Sequence, residues 1–186
     1  NHSGERSMLV LRPADGDETV AAWKLAVEEH RPVALVLSRQ NIKTLPTLGR
    51  SRREEAEQVA KGGYVVKDAA KPAAVLVASG SEVATLVEGA ELLQAEGIAV
   101  RVVSVPSEGL FRDQPKSYQE GVLPAGIVRY GLTSGLPVNL QGLVGERGMI
   151  HGLDHFGYSA PFKVLDERFG YNGKTVAAEV KQLLGK

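Results

Sequence analysis

Residues 73–105 read "AAVLVASGSEVATLVEGAELLQAEGIAVRVVSV", and the apolar periodicity changes twice along them. "AAVLVAS" is a continuous apolar run, the composition of a strand covered on both faces. After Gly80 the spacing turns helical, with Val83, Leu86, Val87, Ala90 and Leu93 on one stripe. Ser79 and Glu82 have capping-box spacing, and Gly97 stands where a helix stops in a left-handed residue. "IAVRVVSV" is a second apolar strand, cut by Pro106. Strand, helix and strand in this order predict two parallel neighbours joined by a helix.

Upstream, residues 8–38 repeat the pattern. "MLVLR" is a short strand closed by Pro13, and "DGDETVAAWKLAVEEH" follows helical spacing. Val20, Trp23, Leu25 and Val27 are expected to cover a core, with Asp17 and Glu18 at the positive end of the helix dipole. "VALVLS" is then a strand whose unbroken apolar run predicts burial on both faces. Between the two units, "TLPTLGRSRREEAEQVAKGG" has no clean period and is expected to be a solvated crossover. The acids of "RSRREE" nearly cancel its bases, which argues against a phosphate or nucleic-acid patch.

Downstream come a helical stretch around "SYQEGVL", a strand near "GIVRYGLT", and a glycine-rich segment through Gly152. "SAPFKVLDERFG" reads as a helix capped by Ser159, and "TVAAEVKQLL" as a final amphipathic helix. The predicted fold class is α/β: a three-layer domain with a mainly parallel, mixed sheet and helices on both faces. It is preceded by a β-α-β unit too small to stand alone, expected to be the end of another domain. The expected partition is 1–45, a linker 46–63, and 64–186, with the polar start "NHSGERSM" read as a tag or disordered.

The chain has 186 residues, 22 basic and 22 acidic, so charge offers no case for a nucleic-acid or membrane partner. With 43% apolar residues it can bury a core. No apolar run approaches a membrane span, no signal peptide is evident, and cysteine is absent, which excludes thiolate chemistry and fits a reducing, cytoplasmic setting.

Arg39 is the leading candidate for binding. It lies two residues beyond Leu37, at the carboxyl end of a parallel strand, where ligands of such sheets collect. A guanidinium offers paired donors that match a phosphate; the structural alternative is an ion pair at a domain edge. Three other motifs are weaker. Ala14-Asp15-Gly16 followed by Gln40-Asn41 approximates the metal and diphosphate motif of thiamine enzymes, but two of these five residues, Ala14 and Gln40, depart from it. Gly80 opens a helix but lacks the three-glycine dinucleotide pattern, so a tight turn explains it. His151, Asp154 and His155 lie close in sequence within a glycine-rich stretch that reads as a loop rather than a metal site. No serine has a histidine and an acid suitably placed for nucleophilic catalysis.

Read together, several strings resemble the C-terminal part of transketolase in order and spacing: "LVLRPADGDETVAAWKLAVE", "RPVALVLSRQNIKTL", "KGGYVV", "VLVASGSEV", "LFRDQ", "GLDHFGYSAP" and "VLDERFGY". The resemblance implies that residues 8 to about 45 close a pyrimidine-binding domain and that those from about 64 form the family's C-terminal domain. It implies transfer of a two-carbon ketol unit between sugar phosphates, using thiamine diphosphate and magnesium bound upstream of this sequence. It also implies a homodimeric complete enzyme with active sites at the subunit interface. The arginine of "LSRQN", which in the family binds the sugar phosphate, is Arg39. No catalytic, cofactor-binding or metal-binding residue carries over, so the chain alone is expected to be inactive. Segment 129–148 departs from the family pattern. The alternatives are a non-catalytic structural or regulatory module, or the matching part of a dihydroxyacetone synthase, a deoxyxylulose phosphate synthase or an oxoacid dehydrogenase β chain.

Overall fold

The computed structural model describes residues 7–186; the reading of the polar start concerns mostly residues 1–6, outside the described residues. β1 (Leu9–Leu11), α1 (Gly16–Glu28) and β2 (Val33–Leu35) form the first unit, the strands pairing in parallel with Leu9 opposite Val33. α2 (Arg52–Ala56) and a 3-10 turn (Glu57–Lys61) lead into the second unit. Its strands are β3 (Tyr64–Lys67), β4 (Ala74–Ala78), β5 (Val100–Ser104), β6 (Val128–Leu132) and β7 (Met149–His151). They form a five-stranded sheet in the order β3-β5-β4-β6-β7. All neighbours are parallel except β3, which runs antiparallel to β5 and makes the sheet mixed. The helices are α3 (Glu82–Ala95), α4 (Glu108–Asp113), α5 (Lys116–Val122), α6 (Gln141–Val144), α7 (Phe162–Phe169) and α8 (Gly173–Leu183).

The central strand explains the three layers. Successive side chains of a strand point to opposite faces. Ala74, Leu76 and Ala78 of β4 therefore pack with Leu86 and Leu93 of α3 and Val180 of α8. Val75 and Val77 pack on the other side with Phe111 of α4, Val122 of α5 and Leu143 of α6. Every residue of β4 is buried, as its unbroken apolar run predicts. The first of these clusters continues into the first unit through Leu9, Leu11, Ala22 and Leu45, so both units share one core. Gly97 has φ +78 and ends α3 as expected, because a side chain there would be strained.

Four expectations need correction. The α1 stripe is the wrong one: Val20, Trp23 and Val27 are exposed, and the helix buries Glu18 and Ala22 instead. α1 packs that opposite face on α2 and the 3-10 turn, and Leu25 is partly buried. β2 is only half-buried, and Val36 and Leu37 beyond it are exposed, because its sheet has just two strands. Segment 46–63 is not a solvated crossover: it contains α2 and the 3-10 turn, with Arg52, Glu55, Ala56 and Val59 buried. The proposed caps also differ. α3 starts after Ser81 without a side-chain cap; the Ser81 hydroxyl donates to the Glu82 carboxylate at 3.2 Å, and that carboxylate also accepts from the Ser134 amide at 3.0 Å. α7 starts after Pro161, and Ser159 does not cap it.

Candidate functional site

The two units meet in a cleft of about 440 Å³ whose walls include Arg39, Gln40 and Asn41 from the loop after β2. Facing them are the start of α3, Ser134 beyond β6, and Tyr171 between α7 and α8. This is the carboxyl edge of the second sheet, beside β4 and β6. There the chain, having run from β4 to β5, reverses direction, the place where open α/β sheets take ligands.

Arg12 lines that crevice. Its amide donates to the Pro106 carbonyl at 2.8 Å, and its carbonyl accepts from the Gly80 amide at 3.0 Å. Its guanidinium lies 3.8 Å from Glu82 and 3.4 Å from the Ser134 hydroxyl. Gly80 has φ +66, so the "ASGSEV" glycine makes the tight turn beneath Arg12.

The cleft's charges are otherwise largely matched. Lys43 pairs with Glu88, and Arg12 with Glu82. Burial, followed by the Glu82 charge, raises the Asp166 carboxyl above its ordinary range. The same two causes push the Tyr171 hydroxyl up to about 12, and it donates to the Thr133 carbonyl at 2.9 Å. Arg39 is the exception. It is exposed and, among the described residues, has no carboxylate partner.

The residues of the thiamine-motif approximation separate. Gln40 and Asn41 line the cleft, whereas Asp15 is fully buried elsewhere. Asp15 Oδ1 accepts from the Glu18 amide at 2.8 Å; Oδ2 accepts from the Leu45 amide at 3.0 Å and Arg52 Nε at 2.6 Å. Arg52 Nη2 reaches Glu18 Oε1 at 3.3 Å and the Tyr64 hydroxyl oxygen at 2.6 Å. Glu18 Oε1 also accepts from Tyr64 at 2.6 Å and Ser104 at 2.8 Å. Burial pushes the Glu18 carboxyl upward, against the hydrogen bonds from Tyr64, Ala14 and Ser104 and the Arg52 charge. This node ties the first unit to β3 and β5. Sequence reasoning missed it, although Asp15 and Glu18 have helix-capping spacing that could have flagged them.

The histidine cluster separates too. His151 is held by Glu179 and the Phe169 carbonyl, while His155 lies against Tyr158 and Phe169. Among the described residues, no group of three or more His, Cys, Asp or Glu side chains could hold a metal. Nor is any described helix long and apolar enough to cross a membrane.

Residues 62–172 match the family model of the transketolase-like C-terminal domain. The chain is 43% identical over 184 residues to transketolase of Geobacillus stearothermophilus, covering 97% of this chain and 27% of that protein. It superposes with a TM-score of 0.88 on the Pichia stipitis transketolase complexed with sedoheptulose 7-phosphate, at 31% identity, covering 99% of this chain and 26% of that one. A split-gene transketolase, described as an inactive β4 tetramer, superposes at 0.71 with 25% identity, covering 98% of this chain and 59% of that one. The chain thus spans about a quarter of the length of the full-length relatives, and it is their C-terminal portion to which it corresponds. An α/β domain with a mixed sheet, a preceding β-α-β unit and this match across nearly every residue establish that the chain belongs to the transketolase family.

Proposed function

We propose that this chain works as the C-terminal part of an enzyme that moves a two-carbon ketol unit between sugar phosphates, and that Arg39 grips the substrate phosphate. One observation carries the reading: an exposed guanidinium without a carboxylate partner stands at the mouth of a parallel strand, in a cleft whose other basic residues are paired. A phosphate accepts two parallel N–H bonds from such a fork. Held there, the substrate's far end fixes the carbonyl end for reaction. The crystallised complex of the Pichia stipitis relative with a sugar phosphate supports this substrate class.

Thiamine diphosphate and magnesium would supply the carbon chemistry, bound by residues outside this chain. The residues present do not fit that group: Asp15 is committed to Arg52, Leu45 and Glu18. This chain's part is to bind and orient. By this reading it is inactive alone, as the split-gene relative's description supports. Residues 1–45 would complete a pyrimidine-binding domain, with 46–63 joining it to a C-terminal domain at 64–186. The exposed Val20, Trp23, Val36 and Leu37 would pack on the rest of the enzyme or a second subunit.

The test is Arg39→Ala in the complete enzyme. We expect phosphorylated donors to weaken by about 1.5–3 kcal/mol, mostly in KM. An unphosphorylated ketol donor should change far less, and equal losses for both would remove the phosphate role. The chain alone is expected to bind no thiamine diphosphate with magnesium in calorimetry; micromolar binding would overturn that.

A further inference from the structure

We infer that Asp15 is a positioning residue for Arg39, its buried carboxylate holding the return end of the loop that aims that guanidinium. The inference rests on the phosphate reading above and adds to it a residue buried outside the cleft.

The loop that carries Arg39 runs over residues 36–45 and is anchored at both ends. Upstream, the Val36 amide donates to the Leu11 carbonyl at 2.9 Å, extending the β1–β2 pairing by one bond. Downstream, the buried Leu45 donates its amide to Asp15 Oδ2 at 3.0 Å. Between these anchors, Lys43 reaches Glu88 only through an exposed ion pair, which contributes little. The buried carboxylate therefore fixes where the loop returns, together with the Leu45 side chain, which is seated in the shared core.

Asp15 is itself held rigidly. Its Oδ1 caps α1 through the Glu18 amide at 2.8 Å, and its Oδ2 takes Arg52 Nε at 2.6 Å. Arg52 reaches Glu18 and Tyr64, and Ser104 donates to the same Glu18 oxygen at 2.8 Å. Tyr64 and Ser104 are opposite each other on β3 and β5. A continuous path of hydrogen bonds thus joins the second sheet to the end of the Arg39 loop, through Glu18, Arg52, Asp15 and Leu45. Losing the last link leaves Arg39 on the chain but loosens its loop at one end, where only the Leu45 side chain then holds it, and a displaced clamp costs affinity without removing any contacting group.

The experiment uses the complete enzyme, with Arg39→Ala, Asp15→Asn, their combination, and Tyr64→Phe. An asparagine offers one uncharged carbonyl oxygen where the carboxylate offers two charged ones, which weakens the hold on the Leu45, Arg52 and Glu18 donors, whereas Tyr64→Phe loosens the node without touching the Asp15–Leu45 bond. We expect Asp15→Asn to raise KM for a phosphorylated donor roughly three- to tenfold, with little change for an unphosphorylated one. It should add almost nothing once Arg39 is alanine, the non-additivity of two residues acting through one contact. Tyr64→Phe should lower the melting temperature and leave both KM values unchanged. If Arg39→Ala discriminates between donors but Asp15→Asn weakens both equally, or adds fully to Arg39→Ala, the positioning role is wrong while the phosphate reading stands. If Arg39→Ala itself fails to discriminate, the phosphate reading falls first. Should Asp15→Asn not fold, amide exchange of the unmodified enzyme decides: Leu45 should be protected like Leu11, and exchange as fast as Asn41 would overturn the tie.

Discussion

His151 and Glu179 form a charged pair: Nδ1 of the ring lies 3.0 and 3.1 Å from the two carboxylate oxygens. On the ring's other side, Nε2 faces the Phe169 carbonyl at 2.8 Å. A carbonyl and an ionised carboxylate can only accept, so both ring nitrogens donate and the ring carries its second proton. The Glu179 hydrogen bond raises the His151 pKa against the opposing effect of burial. Burial raises Glu179, but hydrogen bonds from His151 and Tyr130 outweigh it and leave that carboxyl lowered. The pair joins the end of β7, the end of α7 and α8.

A pH dependence follows with a definite sign. His151 is raised above its unfolded value of about 6.5, so its contribution is complete below that value and is lost as pH rises through the folded one. Glu179 is lowered, so its contribution is present above about 4.3 and is lost as pH falls through its folded value. We expect His151→Gln to be less stable than the parent by about 1–2 kcal/mol near pH 5.5, with the gap closing at alkaline pH. Urea unfolding at a series of pH values measures it, and a constant gap would show that the ring is not charged.

Arg52 stands between two buried carboxylates, and removing it leaves both uncompensated. Arg52→Met is expected to destabilise by about 3–5 kcal/mol, the scale for breaking a buried pair. Tyr64→Phe removes one donor and one acceptor and should cost about 1–3 kcal/mol. Denaturant midpoints compare the two, and a smaller loss for Arg52→Met would mean the node is not tightly sealed.

Arg39→Lys separates charge from shape. A lysine keeps the cation but offers a point charge in place of the paired fork. In the complete enzyme its KM for a phosphorylated donor should fall between those of the parent and Arg39→Ala. Equality with the parent would mean that only charge matters.

α3 and α8 cross closely at Gly89. A Cβ there would lie 2.5 Å from Cγ1 and 2.8 Å from Cβ of the buried Val176. Alanine favours a helix over glycine by about 1 kcal/mol, yet overpacking should win. Gly89→Ala is expected to destabilise by about 1–3 kcal/mol in thermal unfolding. A gain in stability would show that the helices separate freely.

The regular elements were legible because their signals are local. The β4 run, the α3 stripe and Gly97 each read within one helix or one strand. Segment 46–63 was not legible. Its buried residues mix the charged Arg52 and Glu55 with the apolar Ala56 and Val59, so no clean hydrophobic period marks them. The α1 stripe misled for a related reason: α1 has two candidate faces, and the one this chain buries centres on Glu18 and Ala22. Arg39 could be picked out from its place after a strand. The matching of the neighbouring cations could not.

The order of strands and helices, the α/β class, the family likeness and the candidacy of Arg39 all lay in the sequence, since periodicity and motif spacing are properties of neighbouring residues. Which α1 face is buried, that Arg12 lines the sheet's crevice, and that Arg52 reaches back 37 residues to Asp15 were decided only by the tertiary fold. Ion pairs and burial depend on distances between residues remote in the chain, and nothing in the local pattern specifies them.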